Sequence, residues 1–288
     1  MTKIRDFKSV VNRYDVIFFD AYGVLKNYNG LIPGVESTIK YLIKEDIDFY
    51  VLTNDASRSP EDLARSYQTL GIKEITADKI ISSGMLAREY LRYKVKKGTA
   101  AYLGTSKSAH YIETPGLNTL SIRELDLDDT DDINVLVLLD DEGFDWKRDM
   151  NKVINLLRKR NIPVIVANTD FAYPVTEEEV SIAIGGLADM MEMIIGRRFI
   201  KFGKPDSQMF MFAFERILAK RSITKDKILM VGDTLKTDIL GGNKFGIDTA
   251  LVLSGNTLHD QANFLIRSTG IIPNYICEDA VISSSDKE

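Results

Sequence analysis

Val16-Ile17-Phe18-Phe19-Asp20-Ala21-Tyr22-Gly23-Val24-Leu25 carries an unbroken apolar run into one carboxylate and then directly into a glycine turn. A run this short, built of branched and aromatic residues, reads as a strand buried on both faces, as in a parallel sheet. A lone charge is costly inside a core. At the carboxyl edge of parallel strands, however, side chains leave the sheet for a crevice where ligands bind. Asp20 therefore reads either as the cap of the next turn or as a functional carboxylate, and the rest of the chain decides between the two.

Working outward, strand and helix patterns alternate. Ile4, Phe7, Val10 and Val11 predict a short helix before the first strand; Val35, Ile39, Leu42 and Ile43 predict one after it. Residues 47–52 read as a second strand that ends in Thr53-Asn54-Asp55. Ser59-Pro60-Glu61 reads as a helix start and Gly71 as its end. A third short strand is expected near 80–84, with a helix to about residue 93. Near Lys94 the alternation restarts. Strands are expected at 100–103, 135–139 and 164–167, and helices at 107–112, from Trp146, and from Gly185 to Ile195. From Phe202 the first pattern resumes. Gly203-Lys204-Pro205 precedes a helix over 207–220, a strand at 227–231 runs into Gly232-Asp233-Thr234, a helix spans 239–245, and a strand at 249–253 ends in Ser254-Gly255-Asn256-Thr257. The block in the middle alternates by itself, so it reads as a second α/β domain: residues 1–93 and 199–288 form one unit and 94–198 the insert. Met209, Phe210, Phe212 and Phe214 read as core, and residues 283–288 as a frayed tail.

The totals bound the function. At 288 residues the chain exceeds one typical domain, and with 44% hydrophobic and 27% charged residues it can bury a sizeable core. A net charge of −5 without a basic cluster argues against nucleic acid as a partner. The single cysteine, Cys277, excludes an internal disulfide and suits a reducing, cytoplasmic setting; it reads as a small buried apolar side chain. The charged start of the chain is unlike a signal peptide, and no apolar run reaches membrane-spanning length, so no membrane partner is expected. His110 and His259 are isolated and read as surface residues. The acid-rich stretch from Glu124 to Asp132 reads as a solvated loop.

Four polar clusters then stand where strands or loops end: Asp20, Thr53-Asn54, Lys204, and Asp233 with Asp238. In a parallel sheet with right-handed crossovers such ends share one edge. Hydroxyl and backbone N–H groups suit phosphate oxygens, and a lysine is a compact cation for the same oxygens. Two or three carboxylates at one point repel one another unless a cation joins them, and an all-oxygen donor set beside an anionic substrate points to Mg2+. Asp20 is then placed to attack phosphorus.

Asp20-x-x-Gly-Val, Thr53-Asn54, Gly203-Lys204-Pro205 and Gly232-Asp233-Thr234-x-x-x-Asp238 together resemble the haloacid dehalogenase (HAD) superfamily, over nearly the whole chain. Thr-Asn after the second strand, the long insert before Gly-Lys-Pro, and Asn168-Thr-Asp170-x-x-x-Pro174 inside that insert resemble its subfamily IIA, of nitrophenyl-phosphatase and sugar-phosphatase type. The resemblance implies a Rossmann-like three-layer core around a parallel sheet, with an inserted α/β cap domain of the C2 type. It implies a Mg2+-dependent phosphatase acting on a small phosphorylated metabolite, sugar phosphates among the candidates, through an aspartyl phosphate on Asp20. In that scheme Asp20 is nucleophile and metal ligand, Asp233 is a second ligand, Asp238 a nearby or water-mediated one, and Tyr22 offers the metal its backbone carbonyl. Thr53 and Asn54 hold the phosphoryl group, Lys204 orients Asp20 and phosphate, and Asp170 faces the substrate.

The chain departs from the family at position 22, where the family's phosphatases carry a second aspartate that protonates the leaving group and then activates water. A tyrosine with an ordinary pKa near ~10 is a poor base at neutral pH. Losing a general acid–base typically costs roughly 10² to 10⁴ in rate. The expectation is therefore a slow phosphatase, with a phosphate- or phosphosugar-binding protein that has lost turnover as the alternative. Asp55, a candidate substitute proton carrier, reads instead as a turn acid. Homo-oligomers are compatible with the sequence, which carries no reading of the oligomeric state.

Overall fold

The computed structural model describes residues 3–176 and 179–282, and the expected frayed tail lies outside them. The strands, in chain order, begin with β1 (Val16–Phe19), β2 (Lys26–Asn27), β3 (Gly30–Leu31), β4 (Asp48–Thr53) and β5 (Ile80–Ser82). They continue with β6 (Gly98–Leu103), β7 (Leu117–Ser121), β8 (Ile133–Leu138), β9 (Val164–Val166), β10 (Ala172–Pro174), β11 (Val180–Ile182) and β12 (Ile200–Lys201). The last are β13 (Ile228–Gly232), β14 (Asp248–Val252) and β15 (Tyr275–Cys277). The α-helices are α1 (Phe7–Val11), α2 (Val35–Lys44), α3 (Pro60–Thr69), α4 (Ser83–Tyr90), α5 (Trp146–Lys159), α6 (Ile184–Ile195), α7 (Ser207–Leu218), α8 (Leu240–Phe245) and α9 (His259–Thr269).

The chain divides into two compact units. One runs through Thr53, resumes over Pro60–Ile81 and again from Lys204; the other comprises Asn54–Ser59 and Ser82–Gly203. Residues 54–59, 82–93 and 199–203, read from the sequence as part of the first unit, thus cluster with the second.

The first unit is built on a six-stranded sheet in the order β15-β14-β13-β1-β4-β5. β1 lies at its centre, parallel to β13 on one side and β4 on the other, and all four of its residues are buried. Alternate residues point to opposite faces. Ile17, Phe19, Phe49, Val51, Leu229 and Val231 share one face with Phe7, Val10, Ile39, Leu42 and Leu63 from α1, α2 and α3. On the other face α8 comes close enough at Gly242 for a Cβ there to lie 2.4 Å from the Thr249 methyl and 3.4 Å from Met230 Cβ. α7 follows the same logic: Asp206 caps it by accepting from the Gln208 N–H, and Met209, Phe210, Ala213 and Ile217 form its buried face. Phe212 and Phe214, read as core, are only half-buried.

The second unit is a second parallel sheet, in the order β12-β9-β8-β6-β7. Its core joins Leu103, Leu136, Leu138 and Val166 to Val153, Leu156 and Leu157 of α5 and to Leu187 and Met191 of α6. The protein is thus of the α/β class throughout. Among the described residues, no helix is long and apolar enough to cross a membrane. Cys277 is buried, and burial pushes its thiol up to about 12, in keeping with an apolar packing role.

Candidate active site

The first unit gathers Asp20, Lys204, Asp233 and Asp238. Asp20 follows β1, and its N–H donates to the carbonyl of Val231 on β13, extending the ladder by one step. Because Phe19 pairs with Val231, Asp233 leaves β13 at the same edge. Phe19 also pairs with Val51 of β4, so Thr53 emerges beside Asp20 at that edge. Asp238 lies on the turn of π-helix at Leu235–Ile239, which brings its carboxylate back to accept from the Thr234 N–H at 3.0 Å. Asp238 thus caps this turn and joins the acidic cluster at once. One ligand oxygen from each of Asp20, Asp233 and Asp238 lies within 4.8 Å of the others.

Lys204 holds this cluster together. It is 2% exposed, and its ammonium contacts Asp20 Oδ1 and lies 2.7 Å from Asp238 Oδ1. The second contact is an ion pair without the geometry of a directed hydrogen bond, and it leaves that buried oxygen lacking a hydrogen-bond donor. Burial, followed by the charges of Asp20 and Asp238, raises Asp233 well above the usual carboxylate range. Burial also raises Asp238; Lys204 opposes that rise and Asp20 adds to it. Three converging carboxylates therefore face one ammonium, and two of them are destabilised as anions.

Such a site fits a hard divalent cation. Its donors are all oxygen, one buried oxygen lacks a hydrogen-bond donor, and the carboxylates need more positive charge than one lysine supplies. Glycines shape the cradle. A Cβ on Gly23 would fall 2.1 Å from Asp233 Oδ2, and one on Gly255 2.0 Å from the same atom.

The sequence reading missed how Asp233 is held. The loop after β14 wraps it: the Asn256 N–H donates to Asp233 Oδ2 at 2.6 Å, and the Asn256 side-chain amide donates to Thr234 Oγ1 at 3.0 Å. Thr234 in turn donates to Asp233 Oδ1 at 2.9 Å, and Ser254 Oγ donates to the Gly23 carbonyl at 2.8 Å. These residues carry no charge, and one of the two hydrogen bonds to Asp233 comes from a backbone N–H. The one sequence signal was the polar Ser-Gly-Asn-Thr run at a strand end.

Tyr22 is half-buried in the turn before the β2–β3 hairpin, and its neighbour Gly23 donates to the Lys26 carbonyl. Burial and the nearby Tyr28 raise its phenol further above the range in which it could act as a base. Asn54 and Asp170 belong to the second unit and bond to each other there, Asn54 Nδ2 donating to Asp170 Oδ1 at 2.8 Å. Asp55 accepts from both the N–H and the hydroxyl of Ser57, the pattern of a turn acid.

Comparisons with known proteins agree with this geometry. The profile of the family described as "Haloacid dehalogenase-like hydrolase" matches residues 17–118, and a HAD-hydrolase-like profile matches residues 201–280. A crystal structure described as a possible sugar phosphatase of the HAD superfamily, from Cytophaga hutchinsonii, is 60% identical, with 98% of this chain and 100% of that chain covered and a TM-score of 0.95. The chain belongs to the haloacid dehalogenase superfamily, in subfamily IIA. Chronophin from Bos taurus is a more distant superfamily relative, 25% identical over 94% of this chain and 92% of its own length. The p-nitrophenyl phosphatase from Archaeoglobus fulgidus shares the HAD fold at 20% identity, with a TM-score of 0.78 over 93% of this chain and 97% of that one.

Proposed function

We propose that this HAD phosphatase hydrolyses small phosphate monoesters, sugar phosphates foremost, by nucleophilic attack of Asp20 on phosphorus. The membership of a phosphatase-rich subfamily and the 60% identity to a possible sugar phosphatase support the enzyme class. The arrangement of Asp20, Lys204, Asp233 and Asp238 carries the mechanism. Asp20 Oδ attacks phosphorus, the bond to the ester oxygen breaks, and an aspartyl phosphate forms as the leaving oxygen takes a proton from water and departs as the alcohol. Water then attacks that phosphorus and returns the carboxylate with release of phosphate. Lys204, already on Asp20, orients the nucleophile and offsets charge on the phosphoryl oxygens. Thr53, at the end of the adjacent strand, would bind the same group.

Asp20, Asp233 and Asp238, with the Tyr22 carbonyl, would hold Mg2+, which when bound neutralises charge on the phosphoryl oxygens. By the resemblance to its subfamily, the second unit is the part of the chain that would set the choice of substrate. The test is a phosphate-release screen over many phosphate monoesters, with Mg2+ and with a chelator, on wild type and Asp20→Asn. Release that needs Mg2+ and Asp20 is expected. An Asp20→Asn variant as active as wild type would rule out the mechanism.

A further inference from the structure

In α6 of the second unit, Ile-Gly-Gly-Leu-Ala-Asp-Met-Met-Glu-Met-Ile-Ile, only Asp189 and Glu192 are charged. Both are paired with Lys201, whose ammonium contacts Asp189 and lies 2.9 Å from Glu192. One face of the helix, with Ile184, Leu187, Ala188 and Met191, is buried in the core of this unit. A helix that is apolar nearly all round is ordinarily covered on every side. Here Met190, Met193 and Ile194, neighbours on a second face, are exposed. The hairpin β10–β11 continues that face. Ala172 pairs with Ile182 and Pro174 with Val180, so these four side chains share one side of the ribbon. Tyr173 turns to the other side, where its hydroxyl donates to Asp141 at 2.9 Å. Helix and hairpin join without a gap: a Cβ on Gly186, one turn before Met190, would lie 3.3 Å from Ile182 Cγ2.

Val180, Ile182, Met190, Met193 and Ile194 are each between 39% and 77% exposed. Together they offer on the order of 500 Å² of apolar surface, high for the largest patch of a monomer and more than half of the ~800 Å² that each partner gives to a standard interface. The two ends of the face carry opposite charge. Arg197 follows α6 and donates to the Ile162 carbonyl at 2.7 Å, ahead of β9 and so at the amino edge of the sheet. Beside it the Arg198 side chain is 90% exposed. The hairpin lies beyond the carboxyl end of β9, and exposed Glu179 precedes its second strand. We infer that this face binds a second copy of the chain about a two-fold axis. An isologous contact sets one end of the face against the other, so the apolar stripes cover each other and Glu179 of each copy meets Arg198 of the other. Arg198 reaches Glu192 at 3.3 Å and keeps further guanidinium donors for that contact. An anionic lipid surface is a poorer occupant, because Glu179 and a net charge of −5 oppose it. The inference draws on the second unit alone and is independent of the phosphatase reading.

Sedimentation equilibrium of the full chain over a range of concentrations tests it. Wild type is expected at twice 32.4 kDa. Val180→Lys combined with Met193→Lys puts two ammonium groups at exposed positions, so the far-UV circular dichroism should be unchanged while the dimer dissociation constant rises roughly a hundredfold or more. Two single variants test the two-fold arrangement. Glu179→Arg and Arg198→Glu are each expected to weaken self-association at least tenfold, since each homodimer then opposes like charges at both ends. An equimolar mixture of the two variants restores both pairs, and a heterodimer within about threefold of wild-type affinity should form. A wild type that stays monomeric overturns the inference, whether the face is bare or covered by the first unit or by another protein. A dimer that survives Val180→Lys with Met193→Lys overturns it too, as does a mixture of the charge variants that associates no better than either one alone.

Discussion

Gly255→Ala is expected to cripple the site while leaving the fold standing. The added Cβ would lie 2.0 Å from Asp233 Oδ2, 2.7 Å from Asp233 Cγ and 2.7 Å from Gly23 Cα, where ordinary contact begins near 3.4 Å. The carboxylate must therefore retreat by about 1.4 Å, or the 254–257 loop must lift. It has nowhere to retreat without loss, because it is 1% exposed and both its oxygens are hydrogen-bonded, to Thr234 Oγ1 and to the Asn256 N–H. A misplacement of ~1 Å in a catalytic array can cost about 10² in rate. Phosphate release should thus fall by about 10² or more at fixed Mg2+, with part of the loss recovered at high Mg2+. Gly246→Ala is the control. Gly246 ends α8 at φ +85° with nothing within 4 Å, so alanine there strains the backbone by about 1 kcal/mol and lowers the thermal midpoint without touching the site. If Gly255→Ala keeps the wild-type rate and Mg2+ dependence, Asp233 does not need the position its two hydrogen bonds give it, and the account of the metal site fails.

Two further outcomes follow from other residues. Tyr22→Asp should raise the rate on alkyl phosphates at neutral pH, by up to roughly 10², because it installs a carboxylate where the chain has a phenol held above its ordinary value; an unchanged rate would mean that another group already moves the proton. Asp140, at the end of β8, is pushed from an ordinary 3.8 to about 6 by burial, then by Asp141, Asp55 and Glu142. The folded state therefore favours its protonated form, a contribution present below pH 3.8 and lost as pH rises through 6. Asp140→Asn should unfold at higher denaturant than wild type at neutral pH, by about 1 to 2 kcal/mol after allowance for solvent screening, with the gap closing in acid. A gap that is the same at both pH values would refute the assignment.

What could be read from the chain alone depended on how each residue acts. β1, β4, β8, β13 and β14 were legible because strands buried on both faces leave continuous apolar runs. β7 was not, since it exposes Asn118 and Thr119, and β12 and β15 are two and three residues long, too short for a pattern. α9 escaped notice because Ala262 is its one fully buried side chain, so it lacks an apolar stripe. The helix expected near 107–112 forms as a single 3-10 turn at Ser108–Tyr111. In the site, Asp20 and Asp233 stood out because charge at the end of an apolar run has few structural uses, and Lys204 and Asp238 through the Gly-Lys-Pro and Gly-Asp-Thr-x-x-x-Asp motifs. Asn256 and Ser254 did not, because the first reaches Asp233 through its backbone N–H and the second holds only a neighbouring carbonyl.

The membership of Asn54–Ser59 in the second unit has a consequence for how these domains can be exchanged. In sequence the insert looks like one cassette, but the chain crosses between the units four times, and the short first excursion is bonded into the second unit: the Tyr111 hydroxyl donates to the Arg58 carbonyl at 2.7 Å, and Ser83 Oγ to the Asn54 carbonyl. Transplanting 82–203 alone would leave Tyr111, Ser83, Thr169 and Asp170 without those acceptors and donors, and the recipient would keep a six-residue loop shaped for a different insert. A functional chimera between relatives must therefore carry both pieces, and substitutions in 54–59 should track those around Tyr111 and Asp170 wherever the insert has been exchanged.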